Sequence, residues 1–188
     1  EGDTLRDRNG APVALADERQ LYELLGMRLV PPELRESGHD ELAAARDGGL
    51  PALVEVGDLR GILHAHSEFS DGDSTIAEMA EAARARGWTY IGITDHSQSA
   101  FYAGGLSPDA VRRQHDEIDR LNAELSGFRI LKGIEADILP DGRVDYDGQT
   151  LDRFDYVIGS VHSRFGMNEA QMTERVLKAM DDPHLTVL

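Results

Sequence analysis

From residue 59 onward the chain alternates short apolar runs with longer stretches whose apolar positions recur every three or four residues. The runs at 61–64, 90–94, 129–134, 156–161 and 186–188 predict five strands, because each is short, continuous and bounded by turn-forming residues. Three amphipathic stretches between them predict helices. One spans 75–86, with Ser74 as cap and Gly87 as stop. A second spans 108–125, with Ser107 as cap and Pro108 at its first position, and a third spans 169–180. Alternating strands and helices favour a parallel sheet with right-handed crossovers. The fold class is therefore α/β, as either an open doubly wound sheet or a closed barrel.

Residues 1–51 follow another pattern. Asn9-Gly10 between short apolar segments signals a hairpin. Asp17 then caps a helix carrying Leu21, Leu24 and Leu25, with Gln20 at the capping-box position and Gly26 at its end. Met27 to Val30 read as a strand closed by Pro31-Pro32, and the polar stretch through Gly48-Gly49 and Pro51 reads as a junction. The expected division is 1–51 and 52–188. The run Leu185-Thr186-Val187-Leu188 has no polar tail after it, so the second domain is expected to continue further.

Composition narrows the chemistry. With 188 residues, 40% hydrophobic and 29% charged, the chain can bury a core and is not a disordered sequence. Acidic residues outnumber basic ones 35 to 19, a net charge of −16, and both parts are acidic: 11 to 6 over 1–51 and 24 to 13 over 52–188. Such a surface repels phosphate backbones, which disfavours stand-alone nucleic-acid binding unless metal ions or another domain supply positive charge. The absence of cysteine excludes a disulfide scaffold and Cys-based zinc fingers, leaving His, Asp and Glu as metal ligands. No apolar run approaches the roughly 20 residues of a membrane span, so a soluble, cytoplasmic protein is expected.

Candidate ligands recur at the carboxyl ends of successive predicted strands: His64 and His66, His96, Glu135, and His162. Parallel α/β folds gather these ends on one face, where active sites are built. The intervals of 32, 39 and 27 residues each suit one βα unit. His64 and His66, two apart on an extended segment, point to one side and can hold the same ion. Asp71 follows in the Ser70-Asp71-Gly72 loop. Imidazole and carboxylate suit Zn²⁺, Mn²⁺ or Fe²⁺, and a carboxylate such as Glu135 can bridge two ions. Two divalent ions about 3.5–4 Å apart stabilise the attacking and leaving oxygens of phosphoryl transfer and lower the pKa of bound water.

Other readings are blander. His-X-His alone is a weak signal, Asp71 before Gly72 can be a turn former, and Asp95 can simply brace its loop. Taken together, the five residues at four strand ends outweigh those readings. Arg164 is a candidate for bidentate contact to a substrate phosphate. Lys132 is read as structural, Gly104-Gly105 as a flexible point, and His39, His115 and His184 receive no role.

Gly61-Ile62-Leu63-His64-Ala65-His66, Ser70-Asp71-Gly72, Ile93-Thr94-Asp95-His96, Gly133-Ile134-Glu135 and Gly159-Ser160-Val161-His162 resemble the polymerase and histidinol phosphatase (PHP) family of metal-dependent phosphoesterases. The resemblance spans about 58–188 and implies a distorted (β/α)₇ TIM-like barrel carrying two or three divalent ions. It implies a first ion held by His64, His66 and Glu135, a second bridged by Glu135 and held by His162, and a third held by Asp71 and His96. His64, His66, Glu135 and His162 are then the catalytic group. The family pattern adds a His or Cys soon after the strand at Thr186 and a later Asp-X-His, all beyond residue 188.

Gln20-Leu21-Tyr22-Glu23-Leu24-Leu25-Gly26 followed by Pro31-Pro32-Glu33-Leu34-Arg35-Glu36 resembles the end of the thumb subdomain of bacterial family X DNA polymerases. In that family a small α+β thumb precedes the PHP domain. The resemblance implies a repair polymerase with gap-filling synthesis upstream and a manganese-dependent 3′-to-5′ exonuclease or 3′-end-processing activity in the PHP domain. DNA, at 3′ ends and gaps, is the partner implied for the full-length protein, whereas these 188 residues alone are expected to bind DNA weakly. A small-molecule phosphatase of the histidinol phosphatase type, or an inactive scaffold, are the competing readings.

Overall fold

A computed structural model of the chain describes residues 5–36 and 40–188; His39 lies outside the described residues. The chain divides into two units, 1–55 and 56–188.

In the first unit, Arg6 and Pro12 pair antiparallel around the Asn9-Gly10 turn, and the Asp7 carboxylate accepts the N–H groups of Asn9 and Ala11. Helix α1 spans Glu18–Leu24, capped by Asp17, whose side chain accepts the Gln20 N–H. The Gln20 side chain accepts the Ala16 N–H, one residue before the expected capping-box partner.

Residues 27–30 do not form the expected strand. Their polar groups are met otherwise: Arg28 N–H donates to the Ala45 carbonyl, and the Val30 carbonyl accepts twice from the Arg35 guanidinium. That guanidinium also forks onto both oxygens of Glu18 at 2.8 Å. The stretch read as a polar junction contains a helix, α2, at Glu41–Asp47. Its sequence ELAAARD carries three alanines, the strongest helix formers, and Gly48 ends it in the left-handed region.

The second unit is built on five parallel strands in the order of the chain. Strand β1 spans Gly61–Ile62 and helix α3 Ile76–Ala85; β2 spans Tyr90–Ile93 and α4 Pro108–Glu124. Strand β3 spans Arg129–Asp137, α5 Gly148–Leu151, β4 Tyr156–Ser160, α6 Glu169–Met180 and β5 Leu185–Val187. Each strand pairs in parallel with the next, β1-β2-β3-β4-β5. A doubly wound sheet reverses its strand order at a switch point. None occurs here, and the strands curl into a half-barrel of TIM-like type.

Helix α3 begins one residue later than expected. Thr75 is the cap and forms a full capping box with Glu78, while the Ser74 carbonyl is taken by the Glu68 N–H of the preceding loop. Helix α4 begins as expected, with Ser107 accepting the Ala110 N–H. Its apolar stripe, Val111, Ile118 and Leu121, is buried. Ile118 and Leu121 pack with Ile76, Ala80 and Ala83 of α3 against Ile91, Ile93 and Ile130. A second cluster joins Ile134, Ala136 and Ile138 to Val144, Leu151, Val157 and Ala179. Each fully buried Ile contributes about 1.5–3 kcal/mol, so truncation at Ile118 or Ile134 would threaten the fold. Because the strands are parallel, their carboxyl ends lie at one edge of the sheet.

Two strand limits differ from expectation in ways that matter for chemistry. Strand β1 stops at Ile62, so His64 and His66 lie on an irregular segment beyond it. Strand β3 runs to Asp137, so Glu135 lies inside a strand and not after one.

Candidate metal centre

The segment carrying His64 and His66 is held by residues at the end of β2. Ala65 N–H donates to Thr94 Oγ1, the Ala65 carbonyl accepts the Thr94 N–H at 2.8 Å, and Ser67 N–H donates to Asp95 Oδ1 at 2.7 Å. Fixing the backbone at alternate residues leaves both imidazoles on one side, with ring centroids 5.2 Å apart. Asp95 is fully buried and does brace its surroundings. Its oxygens accept from Ser67 N–H, Ser67 Oγ, Ser70 Oγ and Gln114 Nε2. That set of donors satisfies a buried carboxylate that would otherwise be costly.

Glu135 sits at the centre of the group. Beyond β2 its backbone pairs with His96 in parallel, which extends the sheet and aligns the two side chains. Glu135 Oε2 lies 3.5 Å from His64 Nε2, 3.4 Å from His66 Nε2 and 3.1 Å from His96 Nδ1. Glu135 Oε1 lies 3.1 Å from His162 Nε2 and accepts from Ser160 Oγ at 2.7 Å. Asp71 closes the other side, 3.3 Å from His66 Nδ1 and 3.4 Å from His96 Nε2.

All six residues expected to be ligands therefore converge. They form three overlapping groups: His64, His66 and Glu135; His66, Asp71 and His96; and His96, Glu135 and His162. Glu135 belongs to two groups, as its expected bridging role requires, and so do His66 and His96, each of which was expected to hold one ion.

The donor set fits divalent cations. The buried Nδ1 atoms of His66 and His96 have no hydrogen-bond partner, although carboxylate oxygens lie close by. Short contacts without hydrogen-bond geometry are the arrangement expected around shared cations. Burial, and then the neighbouring His96, hold the His66 imidazole below its ordinary pKa, which favours the neutral form that ligates. Burial alone would raise Glu135, but the Ser160 hydrogen bond and the imidazoles of His162, His96 and His64 bring it below the usual carboxylate range.

Sequence reading missed two partners. Asp137 Oδ1 lies 2.7 Å from His162 Nδ1, which orients the ring with Nε2 toward Glu135. Ser160 orients Glu135 itself. Both stand at period-two spacing on their strands, Glu135 with Asp137 and Ser160 with His162, the only signal that could have flagged them.

Arg164 is not brought into the group. It is exposed, takes a left-handed backbone conformation and lines a cavity with Pro140, Gly166, Met167 and Gln171. Lys132 pairs with Asp119 at 2.6 Å, as befits a structural residue. His184 sits between Asp182 and Asp152, which raise its pKa. Gly104-Gly105 is not a point of flexibility: a Cβ on Gly105 would meet the Ser97 carbonyl oxygen at 2.0 Å, so glycine permits close backbone packing there.

Comparison with known proteins matches this arrangement. The PHP domain family matches residues 63–185, and the DNA polymerase beta thumb family matches residues 3–36. The chain is 46% identical over 171 residues to the DNA polymerase/3′-5′ exonuclease PolX of Bacillus subtilis, covering 91% of this chain and 30% of that protein. It is 32% identical over 131 residues to a probable phosphatase of Syntrophotalea carbinolica, covering 67% of this chain and 52% of that protein. The chain thus spans about a third of the first relative's length and half of the second's. With six converging candidate ligands on a half-barrel rim and a family match over most of its length, this chain belongs to the PHP domain family.

Proposed function

We propose that this chain is part of a family X DNA repair polymerase, with residues 1–51 the end of the thumb and linker and 52–188 the first part of a PHP phosphoesterase domain. The activity proposed for the PHP domain is 3′-to-5′ exonuclease or 3′-end processing, with gap-filling synthesis in the polymerase portion. The observation that carries this reading is the convergence of His64, His66, Asp71, His96, Glu135 and His162 in three overlapping ligand groups. The thumb match at 3–36 and the name of the Bacillus subtilis relative favour DNA as the partner. A cytoplasmic location goes with that reading, and no helix among the described residues is long and apolar enough to cross a membrane.

When bound, two or three divalent ions, zinc, manganese or iron, supply Lewis acidity and lower the pKa of water, with manganese proposed for activity. The chain's own residues do the rest. His64 and His66 hold one side of the group and Asp71 with His96 the other. Glu135 faces His64, His66 and His96 with Oε2 and His162 with Oε1, and its lowered pKa keeps it ionised at neutral pH. Asp137 takes a proton-bearing Nδ1 of His162 and so presents Nε2 to the centre. Arg164, exposed two residues after His162 and outside the ligand group, is proposed to meet a substrate phosphate.

The test is Mn²⁺-dependent release of nucleotides from a 3′-labelled primer by the protein with its barrel complete, beside its Glu135→Ala variant. Release by the parent alone is expected. Equal release by both would overturn the assignment, since Glu135 belongs to two of the three ligand groups. A second reading, hydrolysis of small phosphomonoesters, is favoured by the relatives named as probable phosphatases. Faster turnover of such esters than of DNA ends would select it.

A further inference from the structure

Asp95 stands one residue before His96, fully buried, with four hydrogen bonds on its carboxylate. Oδ1 accepts from Ser67 N–H and Ser70 Oγ, and Oδ2 accepts from Ser67 Oγ and Gln114 Nε2. A carboxylate offers about four lone-pair sites, so none is left for a cation and Asp95 is not itself a ligand. Its place in the chain is specific. Ser67 follows His66, Ser70 precedes Asp71, and Asp95 precedes His96. The three neighbours, His66, Asp71 and His96, make up one of the three ligand groups. One carboxylate therefore fastens the loop from His66 to Asp71 onto the end of β2, behind a single group. The loop is drawn in closely: Gly72 N–H donates to the Ser67 carbonyl at 3.0 Å, and a Cβ on Gly72 would overlap the His66 carbonyl.

The fourth donor comes from α4. Gln114 lies fully buried in the apolar stripe of that helix, between Val111 and Ile118. Its Nε2 donates to Asp95, while its Oε1 meets no donor among the described residues. A buried amide with a dry oxygen destabilises a core, and methionine, unbranched and of similar length, would fill the same place without that penalty. The one bond that Gln114 makes to Asp95 accounts for an amide there. Ligands outside this group have other supports: Ser160 for Glu135 and Asp137 for His162.

We infer that Gln114 and Asp95 are positioning residues for one ion of the centre, the ion of the His66, Asp71 and His96 group. The amide fixes the carboxylate, and the carboxylate keeps Asp71 beside His96, 3.4 Å from its Nε2. Asp71 belongs to this group alone, so loosening its loop acts on this ion and leaves those at Glu135 in place. The inference rests on the metal-centre part of the proposed function and is independent of the substrate.

The test is a Mn²⁺ titration of the full-length protein, followed by the electron paramagnetic resonance of the free ion, for the parent, Gln114→Met, Asp71→Ala and the two substitutions combined. Gln114→Met should weaken one Mn²⁺ about tenfold, as for other residues that orient a ligand, and leave the remaining ions unchanged. In the Asp71→Ala background, where that ion has already lost a ligand, Gln114→Met should weaken nothing further. Selective loss upholds the inference whatever the melting temperature. Weakening of every ion alike, of none, or a full additional loss on top of Asp71→Ala overturns it. Should Gln114→Met not fold, Ser70→Ala at a half-buried loop position takes its place, because it frees the Asp71 loop from the same carboxylate and should give the same selective loss. Hydrolysis of a 3′-labelled primer is read separately. Selective ion loss in a protein that cleaves no DNA sinks the nuclease and leaves the positioning role standing, whereas cleavage by the parent without selective ion loss in the variant does the reverse.

Discussion

The Tyr156 hydroxyl donates a hydrogen bond of 2.5 Å to the Leu63 carbonyl, reaching from β4 past two intervening strands to the residue before His64. Glycine makes the path. A Cβ on Gly133 would overlap the Tyr156 ring at 2.5 Å, and one on Gly92 would overlap its hydroxyl at 1.9 Å. A side chain from one strand thereby anchors the first ligand segment, which β1 is too short to hold by itself.

Tyr156→Phe should lower stability by about 1 kcal/mol, the usual worth of one hydrogen bond, and weaken metal binding through the loosened His64 segment. Urea unfolding and a Mn²⁺ titration read the two effects. Gly133→Ala should cost more, on the order of 1–3 kcal/mol, because the ring cannot move without leaving Leu63. An alanine tolerated at Gly133 would show that the ring does not lie there.

Removing the carboxylate beside His162 tests the orientation argument. Asp137→Ala should reduce metal affinity or hydrolysis about 10–100-fold, the range seen when a partner of a ligating histidine is lost. Asp137→Asn, which can still accept from Nδ1, should lose less. Identical losses in both variants would mean that charge, not orientation, is what Asp137 supplies.

Arg175 is almost fully buried on α6 and donates to the carbonyls of Ile138, Leu139 and Ser163. It ties the end of β3 to the loop after His162. Arg175→Met keeps the bulk but strands those carbonyls, at about 1–3 kcal/mol for each one left dry. A drop in melting temperature together with impaired hydrolysis is expected; a lowered melting temperature with unchanged hydrolysis would confine the residue to stability.

His115 on α4 is buried against Phe154, its rings edge to face at 4.9 Å. Burial, with Lys132 and Arg153 and against the pull of Asp119 and Asp155, lowers its pKa to about 4. The folded value lies below the unfolded 6.5, so the unfolded chain binds more protons between them. Stability from the neutral ring is therefore full above about pH 6.5 and declines as pH falls toward 4, by on the order of 3 kcal/mol in total. His115→Gln should flatten that part of the stability profile, measured by denaturant unfolding from pH 7 to 4; a parallel curve would refute the burial argument.

Much of the centre was legible in the chain because parallel strands bring their carboxyl ends to one face, so spacing alone gathers His64, His66, His96, Glu135 and His162. Three helices of the second unit, α3, α4 and α6, were legible too, since caps such as Ser107 act locally, whereas the single turn α5 at Gly148–Leu151 was not. Residues 27–30 and 41–47 were not. An apolar run of four does not say whether a strand partner exists, and here Ala45 and Arg35 supply the hydrogen bonds instead.

By itself the sequence determined the order of strands and helices, the ligand types and the acidic, cysteine-free surface, all of which depend on residue identity and near neighbours. Only the tertiary structure decided the unreversed strand order, the sharing of His66 and His96 between groups, and the roles of Asp137, Ser160 and Tyr156. Those relations join atoms on different strands, and distance in space between such atoms is set by packing and register, which no local pattern encodes.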